Sequence, residues 1–157
     1  MEYVYVGKLV NTHGLKGEVK LISNFEYKER VFISNNKVYI DNEELTISSY
    51  RHHKIFDMLT FKEYNYINDV LKFKGKKVYI KKSSLKLKDD EFLLTDYIGL
   101  NAYYNNEFIG KITDIIDNNG YKLFKLNNKY IPFNKEFIKN IDIEKKIIEF
   151  KNMEGLL

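Results

Sequence analysis

The chain has 157 residues, 44% of them hydrophobic, enough for one domain or two small ones with folded cores. It has no cysteine, which excludes disulfides, thiolate metal sites and a cysteine nucleophile. The 26 basic and 22 acidic residues leave a formal charge of +4, a mild bias that assists contact with nucleic acid without demanding it.

The predicted elements are mostly strands. Val4–Asn11 and Glu18–Asn24 form a first hairpin. Its turn, Thr12–Gly17, carries Gly14 and Gly17, which tolerate positive φ, and presents His13 and Lys16. Lys37–Asp41 alternates apolar and polar residues. Leu45–His53 and Ile55–Phe61 read as a hairpin around Lys54. Ile67, Val70 and Leu71 recur at helical spacing between an Asn65 cap and a Gly75 stop. Lys77–Lys81 is again a strand. Residues 1–82 are therefore expected to form a six-stranded β-barrel with one short helix.

Residues 83–90 turn polar and are read as a linker. Glu91–Tyr97 forms either a short helical turn or an extended approach to the second half. Strands follow at Asn101–Tyr104, Phe108–Asp117, Tyr121–Leu126, Tyr130–Phe133 and Lys146–Lys151. Asn105-Asn106, Asn118-Asn119-Gly120 and Asn127-Asn128 supply the positive φ that tight hairpins need. Pro132 implies an edge strand or a bulge. The closing Gly155-Leu156-Leu157 is expected to dock into the second half. Residues 91–157 thus make a second all-β domain, which periodicity leaves undecided between barrel and sandwich.

No residue pattern announces catalysis. His52 and His53 are adjacent on a strand and point to opposite faces, so they do not chelate one ion easily. Gly14-Leu15-Lys16-Gly17 lacks the spacing of a phosphate loop and the helix that follows one. Asp89, Asp90 and Glu91 sit in a polar run where solvation is the ordinary fate of a carboxylate. We expect no catalytic residue, no metal and no cofactor. No apolar run approaches the roughly 18 residues that cross a bilayer, and no cleavable signal pattern opens the chain. A protein of the cytoplasm is the expectation.

Two segments suit partners. Ser49–Lys54 gathers Arg51, Tyr50, His52, His53 and Lys54 at a strand end, a combination that contacts phosphate and stacks on a base, or else forms a solvated hairpin rim. His13 either caps its own turn or stacks likewise. Phe92-Leu93-Leu94 are three successive apolar residues, which cannot all enter one core from an extended strand. Either they anchor a partner or they plug the seam between the two domains.

The chain resembles the RimM family of ribosome maturation factors. The resemblance rests on Val6–Leu21, on Ile131-Pro132-Phe133, on Ile141–Ile148 and on Glu154–Leu157, in order and at both ends. It implies a translation-factor-like barrel joined to a PRC-type barrel, so the expected fold class is mainly all-β, two small β-barrels. It implies a non-enzymatic factor that binds the immature small ribosomal subunit and supports head maturation and rRNA processing. The implied partners are a ribosomal protein of the head (small-subunit protein nineteen in the family) and rRNA, met by a monomer. An Arg followed by a His recurs in the family where this chain has Arg51 and His53. The family usually carries two tyrosines and a tryptophan where this chain has Phe92, Leu93 and Leu94; Asp96, Ile98 and Gly99 match. Phe92, Leu93, Asp96 and Tyr97 are therefore the expected protein-binding residues, and His13, Lys16, Arg51, His53 and Lys54 the expected RNA-binding ones. The rival readings are a flavin-binding oxidoreductase-like barrel and a generic PRC-barrel interaction module.

Overall fold

The computed structural model describes residues 2–118 and 121–155. The Asn119-Gly120 part of one expected turn and the docking of Leu156 and Leu157 lie outside the described residues. The chain divides into two units, Met1–Lys88 and Asp89–Leu157.

The first unit is built from β1 (Tyr3–His13), β2 (Glu18–Ile22), α1 (Lys28–Val31), β3 (Lys37–Ile40), β4 (Glu43–His53), β5 (Phe56–Phe61), α2 (Ile67–Val70) and β6 (Lys77–Lys81). The strands close into a barrel in the order β1-β2-β5-β4-β3-β6. Closure leaves no unpaired edge, which removes the template for aggregation that an open sheet offers. Alternation sends Leu9, Leu21, Ile40, Leu45, Leu59 and Ile80 into a core where each is at most 1% exposed. Asp41 (φ 53°) and Asn42 (φ 66°) both take the left-handed backbone of a two-residue hairpin turn between β3 and β4. β1 bulges between Tyr5 and Gly7, where a Cβ on Gly7 would stand 2.8 Å from the Ile22 carbonyl oxygen. The expected helix appears as α2, prolonged by a 3-10 turn over Leu71–Phe73 and stopped before Gly75. α1 is a further four-residue turn of helix that the sequence did not signal.

The second unit holds α3 (Leu94–Tyr97), β7 (Asn101–Tyr104), β8 (Glu107–Asn118), β9 (Tyr121–Leu126), β10 (Lys129–Pro132), β11 (Ile138–Asp142) and β12 (Ile147–Phe150). Its sheet runs β10-β9-β8-β7-β12-β11, with β12 parallel to β7 and the other pairs antiparallel. Pro132 closes β10, an end strand, where its missing N–H costs no ladder bond. Phe124 centres the core: its ring stacks on Phe133 at 4.8 Å and meets Phe150 edge-on at 5.6 Å. β11 is an element that the sequence reading missed. The mainly β fold class expected from the sequence holds in both units.

Candidate functional site

In the first unit, strand pairing sorts the polar residues onto two faces. Paired residues on adjacent strands share a face, and next neighbours along a strand do not. β4 pairs with β5 as Arg51↔Met58, His52↔Asp57 and His53↔Phe56; β2 pairs with β5 as Lys20↔Met58. Arg51, His53, Phe56 and Lys20 therefore lie on the outer face, whereas Met58, paired with Arg51 and with Lys20, is fully buried. His13 joins them opposite Glu18 at the end of the β1–β2 hairpin. The His13 and His53 rings lie 6.4 Å apart, tilted by 42°. The Lys20 ammonium sits 4.9 Å over the Phe56 ring. Burial and then the charges of Arg51, Lys54, His13 and Lys20 hold His53 below the usual imidazole range.

One carboxylate sits among these cations. Arg51 Nε and Nη2 donate to the two oxygens of Glu18 at 2.8 and 2.7 Å, a bidentate fork. Arg51 foremost holds the Glu18 carboxyl below its ordinary range. The Arg51 fork is therefore engaged within the protein, and its charge is partly balanced. Lys54 takes a left-handed φ of 57° at the tip of the β4–β5 turn. Lys16 is exposed in the β1–β2 turn and, among the described residues, takes no part in the ring and ion contacts of the cluster. That turn is braced from below: Ile67 N–H donates to the Leu15 carbonyl at 3.0 Å, and a Cβ on Gly17 would stand 3.2 Å from the Tyr66 amide nitrogen. Leu15 and Ile55, at the tips of the two turns, are 79% and 71% exposed.

His52 has the opposite orientation. Its Nδ1 lies 3.5 Å from Asp57, whose side chain is 1% exposed. Asp57 also accepts from Lys28 Nζ at 2.8 Å and from the Tyr50 hydroxyl at 2.7 Å. Burial alone would raise the Asp57 carboxyl; the hydrogen bonds from Lys28 and Tyr50 outweigh it and lower it. Burial and the bond to Asp57 push Tyr50 up to about 12. This is a structural lock between α1 and the β4–β5 hairpin, and it takes His52 and Tyr50 out of the outer cluster. Among the described residues no group of three or more His, Asp or Glu side chains could hold a metal ion.

In the second unit, the four residues singled out from the sequence are largely occupied with folding. Leu93 is 3% exposed and Tyr97 is 6% exposed. Tyr97 meets Phe92, Phe124 and Phe133 edge-on, at 6.0, 5.5 and 5.1 Å. The Asp96 carboxylate accepts the Leu93 N–H at 3.0 Å, satisfying an amide at the start of α3. Phe92 is half-buried against the same core, and Ile98 is 43% exposed just beyond the helix. The segment thus offers a partner the outer part of Phe92 and Ile98 rather than the buried Leu93 and Tyr97.

Sequence reasoning missed Lys20, Glu18 and Phe56 as members of the outer cluster. Glu18 and Lys20 are two apart on β2, so they share a face, but only the β2–β5 register reveals that it is the face of Arg51 and His53.

Comparison with known proteins follows the two units. The model of the RimM N-terminal domain matches residues 4–85, and that of the RimM PRC barrel domain matches residues 94–156. The ribosome maturation factor RimM of Finegoldia magna is 39% identical over 99% of this chain and 100% of its own length. That of an Exiguobacterium species is 34% identical over 100% of this chain and 98% of its own. The solution structure of the N-terminal domain of RimM from Thermus thermophilus aligns with 54% of this chain and 95% of that chain, at 15% identity and a TM-score of 0.47. No helix among the described residues is long and apolar enough to cross a membrane. With both domain models matched in order and the relatives aligned end to end, the chain belongs to the RimM family of ribosome maturation factors, which serve assembly and not catalysis.

Proposed function

We propose that this factor binds the small ribosomal subunit while its head matures, and so supports processing of the small-subunit rRNA in the cytoplasm. It acts as a monomer of a β-barrel and a second β domain, joined within residues 83–90. The observation that carries the reading is the outer face of the first barrel, where His13, Lys20, Arg51, His53 and Lys54 converge around a single carboxylate. Such a face contacts phosphate by charge and ribose or base by its rings. Lys16, exposed in the adjacent turn, extends it. The second unit contributes the protein contact: Phe92 and the Leu93–Tyr97 segment behind it meet a ribosomal protein of the head, the family's small-subunit protein nineteen. The hydroxyls of a tyrosine pair are absent at Phe92 and Leu93, so this contact is apolar. A ligand that prefers one conformation of the head raises the population of that conformation, which is all that assembly support requires.

Sedimentation of a cell extract through a density gradient tests the reading. The factor is expected to co-migrate with free small subunits and to be missing from whole ribosomes. Its absence from the small-subunit fractions of growing cells overturns the reading.

A further inference from the structure

The opposite side of the first barrel carries a second surface that the function proposed above does not use. β6 lies between β1 and β3, and the pairs Tyr3↔Lys81, Tyr5↔Tyr79, Lys8↔Lys77 and Tyr39↔Tyr79 place four tyrosines and three lysines on one outer face. The tyrosines interlock edge-on, Tyr3 with Tyr39 at 5.2 Å and Tyr5 with Tyr79 at 6.0 Å. They are not sunk in a core: Tyr3 and Tyr5 are 50% and 51% exposed, and Tyr39 and Tyr79 are half-buried. Tyr3, Tyr39 and Tyr79 line an open recess of about 380 Å³ with Asp41 and Asn42. The Lys81 ammonium lies 5.4 Å over Tyr39, while Lys8 and Lys77 are exposed and make no ion pair among the described residues. Lys37 and Glu44, joined at 3.3 Å, close the far edge.

We propose that this face binds single-stranded RNA, with bases stacked on the tyrosines and phosphates along Lys8, Lys77 and Lys81. Exposed rings on a sheet with a row of cations beside them are the physical requirements of a stacking platform. A duplex keeps its bases stacked on one another and cannot use the rings. Asp41 and Asn42 at the end of the recess offer acceptors, and Asn42 a donor, to the edge of one base. The lysines favour a polyanion over an apolar or proline-rich peptide, which would need the rings but not the charges. The face is independent of which ribosomal partner the factor serves, so its test uses bare RNA.

The chain contains no tryptophan, so its intrinsic emission reports tyrosine. Full-length protein is titrated with oligouridylate of about 10 nucleotides, a length within the span of single-strand-binding folds. Tyrosine quenching and fluorescence anisotropy of labelled RNA are followed together. We expect quenching by the single strand and weak binding of the matching duplex. Tyr79→Leu should loosen the single strand roughly tenfold, the loss of about one stacked base. Tyr79→Phe keeps the ring and should bind as the parent does. Lys8→Gln with Lys77→Gln should flatten the salt dependence. Melting curves by circular dichroism establish that each variant is folded. Equal affinity of Tyr79→Leu and parent, equal binding of duplex and single strand, or quenching by a proline-rich peptide and not by RNA overturns the proposal. Co-sedimentation with small subunits that survives any of these results leaves the function proposed above standing, so the two fail separately.

Discussion

The outer face of the first barrel and the Phe92–Tyr97 segment of the second unit are both candidates for gripping a partner, and they differ in what their side chains are already doing. On the barrel face, His13, Lys20, His53 and Lys54 hold little of the fold together; their backbone is fixed by the hairpins while their rings and charges face outward. In the segment, Leu93, Asp96 and Tyr97 are consumed by packing and by the start of α3. A strand hairpin that reaches beyond the core can present side chains that contribute nothing to it, as the exposed Arg51 and Lys54 of the β4–β5 hairpin do. A single helical turn on the edge of a small aromatic core has few such positions to spare. Substitutions should therefore separate the two regions, stability moving in one and binding in the other.

The largest effect is expected at Tyr97. Replacement by alanine removes a ring in contact with Phe92, Phe124 and Phe133 and should cost the second unit about 3–5 kcal/mol, read as a lowered denaturant midpoint. If Tyr97→Ala instead weakened subunit binding with the midpoint unchanged, the distinction between the regions would collapse. A control in the first unit is Asp57→Ala, which leaves Tyr50 and Lys28 without their acceptor. Breaking such a buried centre should cost about 3 kcal/mol, at the low end because a third of Lys28 still reaches water. Subunit binding by the fraction that remains folded should be unchanged.

Asp57 also gives the fold a pH signature. Its carboxyl ordinarily titrates at 3.8 and is lowered in the folded state. A depressed carboxyl contributes stability that is present in full above 3.8 and is lost as pH falls through the folded value. The parent should thus lose stability below about pH 4, whereas Asp57→Asn, with no proton to take up there, should lose less. Parallel acid transitions in the two proteins would mean that the charge of Asp57 does not hold this corner of the barrel.

A smaller effect is expected at Phe92. Phe92→Ala removes a half-buried ring and should cost about 1–2 kcal/mol, since part of the ring is already in water. Binding to the small-subunit head should weaken, measured by pull-down with small-subunit ribosomal proteins at a temperature where the variant is folded. Unchanged capture would remove the segment from the protein contact and leave it as core alone.

The same contrast between local and long-range determinants governs which features are legible in the amino-acid sequence. Hairpin turns announce themselves locally: Asn105 and Asn106 both take positive φ, as their side chains favour, and Lys77–Lys81 and Asn101–Tyr104 appear with the predicted bounds. β11 does not announce itself, because Ile138-Lys-Asn-Ile-Asp breaks alternation and a register shift between Ile138 and Asn140 is what lets it pair. α1 has four residues and no side-chain cap. Pairings across strands are equally hidden. Asp57 is one acid in an apolar strand, and its Lys28 partner lies 29 residues away. Tyr3 and Tyr5 alternate visibly, but only the barrel order brings Tyr39 and Tyr79 beside them. Tyr97 looks available in the sequence because helical turns and extended approaches are indistinguishable over so short a segment, and only the turn points it inward.

The finest test of the outer face is Glu18→Gln. Arg51 and Glu18 form a partly exposed pair at the surface, so its loss should change stability by less than about 1 kcal/mol. The effect on RNA should have the opposite sign from most interface substitutions. With the carboxylate gone, the Arg51 fork is released and one negative charge leaves a cluster that includes His13, Lys20, His53 and Lys54. A face that works by neutralising phosphate gains about one unit of charge, so affinity should rise a few-fold and the slope of log affinity against log salt should steepen by close to one. Arg51→Gln should do the reverse, lowering affinity and flattening the slope, because Glu18 is then left without the guanidinium that balances it. An unchanged salt slope in Glu18→Gln would mean that phosphates do not reach this side of the barrel, and the cluster would then serve only to hold the two hairpins in place.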